Sequence, residues 1–115
     1  MGIEVVQAPI DRDKLRRIAA GQFGDFVKAV VDVEREVMAI GGDLHADEES
    51  ALIDAGSIQR NIWGINLYPD LSRDQWVEFD SMINVRPALG NRSRDVENPA
   101  IRDRILAVVA RLIPE

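Results

Sequence analysis

The clearest pattern in the chain runs from Trp76 to Arg86. Val77, Phe79, Ile83 and Val85 fall on one face, interrupted by Ser81, while Glu78, Asp80, Asn84 and Arg86 fall on the other with Met82 among them. A period of two predicts a long, central strand with one buried face. Pro87 cannot donate a ladder hydrogen bond and ends the pairing. Gly90-Asn91 predicts a turn, since both residues tolerate positive φ, and Asn91, Arg92, Ser93 and Arg94 follow as a dense group of donors.

The remaining segments alternate between the two periodicities. Ile3 to Gln7 predicts a short edge strand ahead of Pro9. Asp11 suits an N-cap, and Leu15, Ile18, Ala19 and Phe23 recur at helical spacing, predicting a helix over 12–22 closed by Gly24. The valine-rich run Phe26 to Val33 and its partner Val37 to Ile40 read as two strands turning at Glu34-Arg35-Glu36. That turn lacks an Asn-Gly or Asp-Gly signal, and Val30, Val33 and Val37 also fit a helical stripe, so a helix is the alternative. After the break at Gly41-Gly42, a helix is predicted over 47–55, with Asp47, Glu48 and Glu49 in the first turn where the dipole favours negative charge. Ile62 to Tyr68 predicts a strand, with Trp63 and Tyr68 in or at the rim of the core. Asn98 and Pro99 start a last helix, whose apolar stripe is Ile101, Ile105, Val108, Val109 and Leu112. The order β-α-β-β-α-β-β-α predicts a single α+β domain spanning 1–115, a largely antiparallel sheet with three helices packed on one face.

Composition narrows the classes of function. With 46% hydrophobic residues, 115 residues supply one core. A net charge of -6 argues against nucleic acid as the partner, because nonspecific binding rests on phosphate neutralisation. The absence of cysteine removes disulfides, thiol chemistry and thiolate-held metals. No apolar run reaches the ~20 residues of a membrane span. The first residues show neither a signal-peptide pattern nor a myristoylation signal, which together predict a cytoplasmic protein.

Three motifs carry a resemblance: Gly41-Gly42-Asp43-Leu44-His45-Ala46-Asp47, Trp63-Gly64-Ile65-Asn66-Leu67-Tyr68-Pro69, and Ile83-Asn84-Val85-Arg86-Pro87 through Gly90-Asn91-Arg92-Ser93. Together they resemble DUF5674, a family of short prokaryotic proteins of unknown function. The resemblance implies membership but no activity. Ala88 and Leu89 stand where the family pattern has polar residues, which argues against a ligand role for those two positions.

Candidate chemistry concentrates at two places. His45, the one histidine, lies between Asp43 and Asp47; His45 could serve as a metal ligand or a general base, with Asp47 beside it as a further catalytic candidate, or the imidazole could simply order its loop. One histidine among carboxylates is too thin a donor set to predict a metal site. Asn84, Arg86, Asn91 and Arg92, with Arg94 nearby, could hold a phosphate or carboxylate, because guanidinium forks suit planar anions. Salt bridges to Glu78, Asp80, Asp95 or Glu97 are the plainer alternative. The acidic pairs Asp32/Glu34 and Glu78/Asp80 could converge as acid/base carboxylates or form a solvated sheet face. No phosphate-loop glycine pattern occurs, and no cofactor is expected. Two functions follow: binding of an anionic small molecule at a His45/Arg86/Asn91 site, with Arg86 turned toward the Gly90 loop, or a non-enzymatic module that docks a protein partner or a second copy of itself. Neither requires a membrane.

Overall fold

The computed structural model describes residues 2–114. The reading of the first residues as free of a leader involves Met1, which lies outside the described residues. In chain order the elements are β1 (Glu4–Val6), α1 (Arg12–Ala20), β2 (Val27–Asp32), β3 (Val37–Ile40), α2 (His45–Asp54), β4 (Ile62–Leu67), β5 (Val77–Glu78) and α3 (Pro99–Leu112). The strands form one antiparallel sheet in the order β1-β3-β2-β4-β5. The α+β class, the three helices and the predicted order all hold.

Helices cover both faces of this sheet, not one. Ala29 and Val31 join Trp63, Ile65 and Leu67 in a core closed by Leu15 and Ile18 of α1 and by Ile105, Val108 and Leu112 of α3. Val30, between them in sequence, points the other way and packs with Ala39, Ile62 and Leu52 of α2. This double burial explains the sequence of β2 and β4. A strand with both faces covered reads as a continuous apolar run rather than an alternation. Lys28 and Asn66 interrupt those runs, and they face each other across the β2–β4 pair.

Strands, not a helix, occupy 27–40. The turn needs no Asn-Gly, because the buried Asp32 carboxylate accepts hydrogen bonds from the Glu34 and Arg35 amides and Glu36 takes a left-handed φ of 58°. Arg104 and Arg111 of α3 hold this turn from the first face through the carbonyls of Val33 and Glu36. Asp32 lies opposite Ile62 while Glu78 lies opposite Asn66, so the two acidic pairs sit about four strand residues apart and do not converge.

The predicted long central strand is a correction. Pairing covers only Val77 and Glu78, at the edge of the sheet, and Met82–Asn84 form a 3₁₀ turn capped by Ser81. The alternation had a different cause. After Glu78 the chain leaves the edge and crosses over β4, so Ile83 enters the second core while Met82 stands in solvent. Gly64 permits the crossing. A Cβ there would lie 2.5 Å from Ser81 Cβ and 3.1 Å from Ile83 Cγ1. Gly64→Ala should therefore destabilise by at least about 1–3 kcal/mol, the usual cost of overpacking. In urea unfolding, Ser81→Gly should recover part of that loss in the double variant.

Candidate functional site

Asn84, Arg86 and Asn91 turn inward to complete the sheet. From Ile65 back to Ile62 the outer edge of β4 has no strand partner among the described residues, and side chains supply one. The fully buried Asn84 accepts from the Gly64 amide (2.8 Å) and donates to the Gly64 carbonyl (3.0 Å), as a neighbouring strand would, and also donates to the Arg94 carbonyl (2.9 Å). Arg86 donates to the Ile62 carbonyl (2.6 Å), lies over the Trp63 ring and pairs with Glu49 of α2 at 2.8 Å, both side chains nearly buried. Burial lowers the Arg86 pKa, and Glu49 opposes that shift. The guanidinium was expected to face the Gly90 loop. It turns away because its hydrogen-bond partners are the Ile62 carbonyl of β4 and the Glu49 carboxylate of α2; the Arg86 backbone is what bridges to Asn91.

The donor-rich loop holds a carboxylate of its own chain. Glu97 accepts hydrogen bonds from the Arg92 amide (2.9 Å), the Ser93 amide (2.8 Å) and the Ser93 hydroxyl (2.6 Å). The Ser93 hydroxyl first, and then the Arg92 amide, draw the Glu97 pKa below the usual carboxylate range. Buried Asn91 donates to three carbonyls, of Asn84, Ser93 and Asp95, and accepts from the Glu97 amide. Arg92 and Asp47 are exposed.

His45 lines a different concavity from Arg86. It occupies the first turn of α2, two residues earlier than the predicted helix start, and its Nε2 lies 2.8 Å from the Ile65 carbonyl. That oxygen can only accept, so Nε2 carries a proton. Burial, the largest influence, lowers the His45 pKa below the ordinary imidazole range. A cleft of about 190 Å³ opens beside it, walled by Lys28, Leu44, Ala46, Ser81, Met82, Ile83 and Arg94. Arg94 donates from Nε to Asp80 (2.6 Å). Among the described residues Lys28 has no carboxylate partner within salt-bridge distance. Leu44 at the N-cap offers no side-chain cap, and Leu44, His45 and Ala46 at this amino end of α2 line the cleft.

Two further groups lie close by. Asn66 keeps a buried side-chain oxygen without a partner among the described residues. Glu48, fully buried, accepts from the Gly42 amide at 3.0 Å and leaves its other oxygen unpartnered among the described residues. Burial pushes its carboxyl up to about 9. A Cβ on Gly42 would sit 2.8 Å from Glu48 Cγ, so the Gly41-Gly42 motif makes room for this acid.

The family described as "Protein of unknown function (DUF5674)" matches residues 4–112. The chain belongs to this family. No curated protein and no solved structure matches it. For a DUF5674 protein the three motifs that marked the family now have structural work: Gly42 accommodates Glu48, Gly64 admits the crossing segment, and Asn84 and Arg86 close the sheet edge. No described helix is long and apolar enough to cross a membrane. Lys28 escaped the sequence reading, although a lone lysine inside Val27–Asp32 is a visible break in a buried strand.

Glu48 gives a pH prediction of definite sign. Its folded pKa is raised, so between about 4.5 and about 9 the folded state holds a proton that the unfolded chain releases. Its contribution to stability therefore falls as pH rises through that range. His45, with a lowered folded pKa, acts in the opposite direction, against stability as pH falls below its ordinary value. Urea unfolding of the wild type and Glu48→Gln isolates the first effect: the variant should gain stability relative to the wild type as pH is raised from 5 to 8.5.

Proposed function

We propose that this DUF5674 protein binds a small phosphate- or carboxylate-bearing molecule in the cleft formed by Lys28, His45 and Arg94. The observation that carries the reading is Lys28, which lines the cleft together with the uncapped amino end of α2 and whose ammonium, lying over the Phe23 ring, has no carboxylate within salt-bridge distance among the described residues. The positive end of a helix and two cations attract an anion without any further device. Arg94 is held by Asp80 through Nε alone, which leaves both terminal nitrogens for a ligand. Asn84 contributes by fixing the Arg94 backbone, and Arg86 and Asn91 by building the wall, rather than by contact with the anion. His45 replaces Asp47 as the group near any chemistry, since Asp47 does not line the cleft. An acidic, cysteine-free chain suits the cytoplasm of a prokaryote as the setting.

The interaction-module reading draws on exposed Leu44 and Met82 at the rim of the same cleft. Thermal denaturation separates the two. Phosphate or citrate at millimolar concentration should raise the melting temperature of the wild type by mass action on the folded state. Lys28→Gln should remove most of that rise while leaving the unliganded melting temperature nearly unchanged. Absence of any anion-dependent shift in the wild type would favour the interaction module.

A further inference from the structure

We infer that the cleft distinguishes oxyanions that carry an O–H from those that do not, and so accepts hydrogen phosphate in preference to sulfate. This rests on the anion-binding reading above and adds the chemistry of selection. The cleft offers donors and an acceptor together. Lys28, Arg94 and the first amides of α2 can only donate. His45 is different: its Nε2–H is committed to the Ile65 carbonyl at 2.8 Å, and Nδ1 has no partner among the described residues. A neutral imidazole whose Nε2 donates must present a lone pair at Nδ1. Burial, the largest influence, favours that neutral form, joined by the positive charges of Lys28 and Arg94 and opposed by the Ile65 hydrogen bond and by Asp80.

Hydrogen phosphate and sulfate match in size, shape and charge near neutral pH, and differ in one hydrogen. With phosphate, that O–H can point at Nδ1. With sulfate, an oxygen would face the lone pair and both would lose hydration without a bond between them. A site built to bond one hydroxyl rejects the analogue without it far more strongly than a size filter does.

The test is an NMR titration of the wild-type protein near pH 7.5 at constant ionic strength, with inorganic phosphate and with sulfate, following amides of α2 and the ¹⁵N signals of the His45 ring. The expected result is binding of phosphate at least about tenfold tighter than sulfate, with the Nδ1 signal moving as it accepts a hydrogen bond. His45→Phe, if folded, should bring the two affinities together by weakening phosphate. Equal affinities in the wild type, both abolished by Lys28→Gln, would overturn the selection by His45 and leave the anion site standing. Absence of binding by either ion would overturn the anion site as well.

Discussion

The structure depends on a clasp in which a side-chain amide takes the place of a strand. Gly64 presents its N–H and C=O outward from β4, and Asn84 answers both, within a buried environment where unmet backbone groups are costly. Arg86 does the same for the Ile62 carbonyl one step along the edge. A protein that leaves an edge strand uncovered risks pairing with other chains, and here the edge is closed by side chains that cannot propagate a sheet.

The clasp also makes the cleft. By pinning residues 81–86 across Gly64, it lays Ser81, Met82 and Ile83 alongside the first turn of α2. Through the Arg94 carbonyl it ties the returning chain to the same point, so Arg94 reaches the cleft from the far side of the loop. Asn91 and Glu97 then complete that loop from within, using the donors that would otherwise attract an external anion. Anion recognition and internal satisfaction use the same chemistry. The Gly90–Arg94 loop shows the second, whereas no described carboxylate lies within salt-bridge distance of Lys28.

How far the sequence could be read follows from which interactions are local. The helices were legible, because Asp11, Asn98 and Pro99 act within one turn. The β2–β3 hairpin was legible from β-branching, though not from its turn, since Asp32 does by side-chain capping what glycine does elsewhere. The segment 76–86 misled because its alternation came from crossing the sheet, and only the distant Gly64 reveals that. For the same reason Arg86 was expected at a strand end. Its partners Ile62 and Glu49 lie 24 and 37 residues away, beyond any local pattern. Lys28 and Asn66 could have been found by asking why polar groups interrupt two strands buried on both faces.

Amide hydrogen exchange at Gly64 tests the clasp most directly. Its N–H faces away from β2, on the side of β4 where no described strand pairs with it, so without Asn84 it would behave as an edge amide open to solvent. Bonded to a buried side-chain oxygen, it should exchange only on global unfolding in the wild type and become fast in Asn84→Ala under conditions where β2 stays protected. Rapid exchange of Gly64 in the wild type, at the rate of loop amides, would contradict the account.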